Sequence, residues 1–251
     1  MGETASPAAI DIVLLGGFSV TIAGQPIADQ WRLRKAKTLV KLLALAPRHR
    51  LHRDIVIDSL WPDGDPQATA NNLYQVLHTI RHMRGAESIA LTDEVVRLCP
   101  AGGLTVDVDV FERAAANARS TGDIANLQAA LNRWTGPLLP EDQYADWAEE
   151  HRDRLTETHA ALGTMLGSTL FELGEREAAP AVLEPLASSR PLDEQLHRVL
   201  IDVLAGLGRR WEAIETYERL RDTLDDTYAA EPEPQTKALY RPTAQQQQSH
   251  P

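Results

Sequence analysis

Residues 67–84 read QATANNLYQVLHTIRHMR. At about 100° per residue, Ala70, Leu73, Val76, Leu77, Ile80 and Met83 fall on one stripe, which predicts a helix seated on a core. The opposite side aligns Asn71, Gln75, His78 and His82, flanked by Asn72, Tyr74, Thr79 and Arg81. Amide, imidazole and hydroxyl groups on an outer face suit base edges: Asn and Gln can bond adenine in a bidentate way, each good pair giving roughly 1–3 kcal/mol of discrimination. The alternative is a solvated face that is merely rich in amides, and the flanking sequence decides between them.

Upstream, WPDGDP at 61–66 cannot continue a helix, because two prolines and a glycine occupy six positions. Before it, residues 53–60 carry a helical pattern with Ile55, Val56 and Leu60 inward. Further back, residues 31–46 predict an amphipathic helix that buries Leu33, Ala36, Leu39, Val40, Leu42 and Leu43, is closed by Pro47 and is followed by a basic turn, Arg48-His49-Arg50. Residues 11–15 and 18–22 are β-prone, with a turn at Ala23-Gly24-Gln25, and predict a small antiparallel sheet. Downstream, beyond Arg84-Gly85, residues 89–91 and 95–98 joined by Thr92-Asp93-Glu94 read as a β-hairpin. Strands, three helices and a hairpin make a winged helix-turn-helix, whose third helix enters the major groove. The amide-rich face belongs to that third helix.

From residue 106 onward the spacing is helical, over 109–119, 124–134, 144–173, 175–188, 192–207, 210–227 and 236–240. Leu173-Gly174 recurs as Leu207-Gly208, 34 residues on, with Ala178-Ala179 matching Glu212-Ala213 and Leu183 matching Tyr217. That is the period of tetratricopeptide (TPR) repeats, helix pairs that stack to bury faces neither buries alone. The expected fold class is therefore an α+β winged helix-turn-helix domain followed by an all-α TPR-like helical repeat domain. The expected divisions are a flexible N-terminus at 1–9, the winged helix at 10–100, the helical domain at 101–241 and a disordered tail at 242–251, where Gln245 to Gln248 run together without apolar period.

The net charge of −11 over 251 residues is unevenly spread: residues 1–100 hold 11 Lys/Arg and 10 Asp/Glu, and residues 101–251 hold 14 and 26. Within the first part, Arg32, Arg34, Lys35, Lys37, Lys41, Arg48, Arg50 and Arg53 form an acid-free basic stretch, the footprint of either a phosphate-binding surface or a solvated helix. One cysteine, Cys99, excludes a disulfide framework or Cys-rich zinc module, fits a reducing cytoplasm, and reads as a small buried group rather than a nucleophile. No stretch has the length of a membrane span, and residues 8–20 lack the basic flank of a signal peptide. Neither GxxxxGK[ST], GxGxxG nor HExxH occurs, so no enzyme activity and no cofactor is expected. His78 and His82 stand four apart but without further ligands at metal spacing, so no metal is expected. Of the five tryptophans, Trp61 stands out because it precedes the third helix; the others read as core or interdomain packing.

The run WRLRKAKTLVKLLALAPRHRLHRDIVIDSLWPDGDPQATANNLYQVLHTIR resembles the DNA-binding part of SARP/AfsR-type bacterial transcriptional regulators, with an OmpR-like winged helix. LCPAGGLTVDVDVFERA, RWTGPLLPED and RRWEAIETYERLRDTLDDTYAAEPEPQTKALYR resemble the bacterial transcriptional activator domain that accompanies it, so the likeness covers about residues 10–241. The resemblance implies a transcriptional activator, often of secondary-metabolite gene clusters, that binds repeated sites in double-stranded promoter DNA and contacts RNA polymerase. By position it puts Asn71, Gln75, His78 and Thr79 on bases and Arg50, His52, Trp61, Asn72, Arg81 and Arg97 near the phosphate backbone. Relatives often carry arginines where this chain has Asn71 and His78, which bears on the target sequence. It leaves open a dimer formed before DNA binding or a homodimer formed only on DNA, and implies a cytoplasmic, nucleoid-associated protein that does not engage membrane. The competing reading is a TPR-like interaction adaptor that uses its winged helix for protein docking, which the acidic total favours.

Overall fold

A computed structural model describes residues 9–27, 31, 33–84, 88–98 and 102–245. Residues 1–8, Arg32, Cys99, Pro100 and residues 246–251 lie outside the described residues, as does the side chain of Met83. The chain forms two compact units, one of residues 1–113 with 133–156, the other of 114–132 with 157–251. Compactness thus divides the chain elsewhere than at residue 100, because a segment beyond the second strand-rich stretch packs back on the first unit.

The first unit begins with β1 (Ile10–Val13), β2 (Ser19–Ile22) and the two-residue β3 (Gln25–Pro26), an antiparallel meander as the sequence predicts. A strand the sequence reading did not anticipate, β7 (Leu104–Val106), completes the sheet by pairing parallel to β1, Ile10 against Leu104. Asp107 follows it. Its carboxylate accepts from the backbone N–H groups of Leu14 (2.9 Å), Leu15 (2.8 Å) and Val108 (2.8 Å), ending β1 and starting a helix with one side chain. Burial pushes the Asp107 pKa up, against the pull of those backbone donors. Residues 135–142 lie along the same edge: Thr135 Oγ1 donates to Leu15 O, Gly16 N to Pro137 O, and Leu139 N to Leu14 O, while Leu138 and Leu139 are fully buried.

Three helices follow the meander: α1 (Arg34–Leu45), α2 (Arg53–Leu60) and α3 (Pro66–Arg84). Ala36, Leu39, Val40, Leu42 and Leu43 of α1 are buried as expected, but Leu33 stands before the first turn and is 40% exposed. In α2, Val56 and Leu60 point inward, whereas Ile55, expected there, is 52% exposed, one position off the buried edge. Pro47–His49 makes a 3-10 turn and Arg50 then opens β4 (Arg50–His52), so Arg50 is a strand residue rather than part of a turn. β4 joins β5 (Ile89–Thr92) and β6 (Val95–Leu98) in a sheet of order β4-β6-β5, which makes the wing three-stranded. Asp93 and Glu94 close the β5–β6 hairpin with φ of 50° and 61°, the signature of a two-residue type I′ turn.

The remaining helices are α4 (Asp107–Thr121), α5 (Ile124–Leu131), α6 (Asp146–Glu172), α7 (Ala179–Ser189), α8 (Glu194–Gly206), α9 (Arg210–Tyr228) and α10 (Pro234–Gln245). α5 stops three residues before the expected end, and Trp134 instead packs on Phe111, ring centroids 5.3 Å apart. In the second unit the 34-residue repeat marks two turns: Gly174 and Gly208 adopt φ of 92° and 77°, a left-handed conformation that ends a helix without a Cβ penalty. Ala179 and Ala213 are buried at equivalent places, as are Leu183 and Tyr217. Gly163 and Gly167 of α6 lie against Leu186 and Leu183 of α7, where a Cβ would collide, so small residues set that close crossing. Trp211 is 69% exposed, unlike the packing role expected of it, and α10 continues through residues 242–245, where disorder is expected from composition.

Candidate nucleic-acid interface

The third helix is anchored at its start. Asp65 Oδ2 accepts from Ala68 N at 3.0 Å, and Pro66 takes the first helical position, where its missing N–H costs nothing. A Cβ on Gly64 would meet the side chains of Thr69 and Trp61, so the loop before the helix needs glycine. Leu73, Val76, Leu77 and Ile80 are buried, as the stripe predicts. On the other side Asn71, Gln75, His78 and His82 are exposed, with the rings of His78 and His82 stacked at 6.4 Å and 18°. No cluster of three His, Cys, Asp or Glu able to hold a metal occurs among the described residues. Thr79 is half-buried and its hydroxyl donates to Gln75 O at 2.9 Å, which leaves its methyl group and oxygen lone pairs for any partner.

The residues expected near phosphates fall into two groups. Arg81, half-buried, donates from Nε to Ile89 O at 3.0 Å and so ties α3 to the wing. His52 caps α2, its Nδ1 accepting from Asp54 N at 3.3 Å, and Trp61 is half-buried at the end of α2 beneath Lys35. Asn72 is half-buried on α3. By contrast, Arg50 and Arg97 are exposed and sit directly opposite each other across β4 and β6, with Ala90 completing the row. Like charges in direct cross-strand register repel. Neither forms an ion pair with a described residue. This pairing is invisible without β4; the one local hint is the period-two spacing of Arg50 and His52.

Sequence reading also missed what braces the wing. Arg53 Nη1 binds Glu94 at 2.6 Å while Arg53 N donates to Glu94 O at 2.7 Å, so the left-handed Glu94 receives from one residue twice. The Glu94 hydrogen bond, reinforced by its charge, raises the arginine pKa further.

The acid-free basic stretch is not one solvent-facing surface. Lys35 donates to Leu60 O and lies 5.9 Å from the Trp61 ring centre, and Lys37 lies 5.1 Å from that of Phe18. Lys41 is 2% exposed and pairs with Glu141 at 2.9 Å and with Asp142, under the Phe18 ring at 4.7 Å. Burial alone would raise the Glu141 pKa, but the hydrogen bond and charge of Lys41, with the charge of Lys37, hold it below the usual carboxylate value. Only part of the basic stretch is therefore available to a polyanion.

Three helices closed by a three-stranded sheet, in one chain with helical hairpins repeating at 34 residues, define the winged helix-turn-helix class combined with a TPR-like domain. Residues 106–242 match the bacterial transcriptional activator domain, and the chain belongs to that family, in the arrangement of the SARP/AfsR-type regulators. Among its relatives, transcriptional regulatory protein EmbR of Mycobacterium tuberculosis is 25% identical over 95% of this chain and 64% of its own length. Regulatory protein DnrI of Streptomyces peucetius is 27% identical over 86% of this chain and 82% of its own. A solved structure of Mycobacterium tuberculosis EmbR in complex with a low affinity phosphopeptide superposes with a TM-score of 0.79 at 24% identity, covering 95% of this chain and 66% of that one, and shows the shared fold. The chain thus spans about two thirds of the EmbR length.

Proposed function

We propose that this chain is a sequence-specific DNA-binding transcriptional activator: α3 enters the major groove of promoter DNA and the wing holds the adjacent backbone. The observation that carries this reading is the unrelieved Arg50–Arg97 pair beside a helix whose exposed face is amide and imidazole. A phosphate between the two guanidinium groups relieves their repulsion, and contacts of that kind fix register while α3 reads sequence. Asn71, Gln75, His78 and Thr79 are assigned to base edges. Arg50 and Arg97 are assigned to phosphates together with His52, Trp61, Asn72 and Arg81, the last chiefly by positioning α3. Activation proceeds by recruitment of RNA polymerase, with a homodimer on repeated sites, in the cytoplasm at the nucleoid. The resemblance to SARP/AfsR-type regulators supports a secondary-metabolite gene cluster as the target.

Selection of binding sites from random duplexes with the purified chain tests this directly. An enriched motif is expected, and Gln75→Ala should relax one position of it by roughly 1–3 kcal/mol. Absence of any enriched motif, with DNA affinity indifferent to both Gln75 and Arg97, would falsify the reading and favour a docking role for the winged helix.

A further inference from the structure

A cavity of about 430 Å³ opens in the second unit between α7, α8 and α9, remote in sequence from α3 and the wing. Its floor is aliphatic, with Leu200, Leu204 and Ala187. Its neutral polar groups share one property. The hydroxyls of Ser188, Thr216 and Thr223 each donate to the carbonyl four residues back, at 2.9, 2.7 and 2.7 Å, and so present only lone pairs to the space. His197, 4% exposed, lies with Nδ1 2.8 Å from Asp193 O, which makes Nδ1 the donor and leaves Nε2 an acceptor without a partner among the described residues. Burial lowers the His197 pKa and keeps the ring neutral. Glu184, Glu212 and Glu215 stand around the cavity, against two guanidinium groups: Arg209 holds Glu212 and touches Glu184 at 3.3 Å, and Arg219 holds Glu215 at 3.0 Å. Acceptors outnumber donors, and the three carboxylates share the guanidinium groups of Arg209 and Arg219.

We propose that this cavity receives the side chain of an arginine or lysine presented by a basic protein segment, its alkyl stem on Leu200 and Leu204 and its cationic head among His197 Nε2, Glu184 and Glu215. An acceptor-lined space over an aliphatic floor complements a group that is all donors at one end and methylenes behind it. A carboxylate or phosphate ligand finds no matching donor there except Arg219, which is already paired. The acidic balance of residues 101–251, 14 Lys/Arg against 26 Asp/Glu, draws a basic segment toward the same part of the chain.

The test uses the full chain and three probes: the terminally blocked peptide Ala-Ala-Arg-Ala-Ala, its blocked citrulline counterpart, which has the same shape without the charge, and free spermidine. Calorimetry should show the arginine peptide binding with an affinity that falls as salt rises, and the citrulline peptide should not bind. In the double variant Glu184→Gln/Glu215→Gln, two exposed positions whose change leaves the helical circular dichroism intact, affinity should drop about tenfold or more. The ¹⁵N resonance of His197 Nε2 should shift on addition of the arginine peptide to the native chain. Equal binding of arginine and citrulline peptides, an unmoved His197 resonance, or binding of spermidine but of neither peptide overturns the proposal. DNA affinity of the double variant is expected to match the native chain, so failure here and failure of the DNA-binding reading show separately.

Discussion

Two basic regions of the first unit look alike in sequence and differ in structure. The lysines of α1 are turned to internal partners: Lys35 to Leu60 and Trp61, Lys37 to Phe18, Lys41 to Glu141 and Asp142. The arginines of the wing, Arg50 and Arg97, face each other with no described acid between them. The difference teaches that a run of cations marks a polyanion surface only where the fold withholds partners from it. In α1 the charges stabilise the unit; in the wing their mutual repulsion costs stability.

Cutting the chain separates the two regions most sharply. A chain ending at residue 100 loses β7, Asp107 and the 135–142 segment, and so leaves Lys41 without its acids and β1 without its parallel neighbour. It should show no cooperative thermal unfolding, whereas residues 1–156 should; equal cooperativity of both would mean that the later segment is dispensable to the first unit. Next in size, Lys41→Ala should destabilise the chain by roughly 2–4 kcal/mol in urea, because a buried cation and its stem vanish from between two carboxylates. Arg50→Ala or Arg97→Ala should instead change stability by at most about 0.5 kcal/mol, or raise it, while lowering the salt dependence of DNA binding by about one phosphate contact each. A large stability loss in either wing variant with an unchanged salt slope would collapse the contrast.

A further contrast concerns pH, in the second unit. Burial, helped by the charge of Arg190, holds His159 down to about 4. An unfolded histidine takes up its proton near pH ~6.5, so between about 6.5 and 4 the unfolded chain binds more protons than the folded one. The stability that His159 contributes is therefore complete above that window and declines as the pH falls through it. Burial of His197 adds a change of the same sign. Melting temperature measured from pH 7 to 4.5 should fall, and His159→Gln should flatten the curve; an identical slope in the variant would exclude His159 as a source.

What could be read in advance follows the range of the interactions. α3 is legible to within a residue because Leu73, Val76, Leu77 and Ile80 keep helical spacing in a nineteen-residue helix, and the wing hairpin because its strands are adjacent in the chain. The TPR-like turns are legible because Leu-Gly repeats at a fixed interval. β4 and β7 are not, since each has three residues and its partner lies more than forty positions away. Lys41 reads as solvent-facing because the acids that bury it are a hundred residues on. For the candidate interface, residue types on α3 are visible in the sequence, but the opposition of Arg50 and Arg97 exists only once β4 has paired.

Asp107 ties residues 14 and 15 to position 107, and residues 135–142 close over the same edge. On the ribosome, then, α3 is complete in sequence well before its own unit can be. At roughly 5–20 residues per second, the stretch from the end of the wing to residue 142 takes about 2–9 s to synthesise. Throughout that interval the nascent chain carries its wing arginines without a finished sheet beneath β1, so the newly made protein acquires its unpaired wing charge before it acquires the frame that holds it.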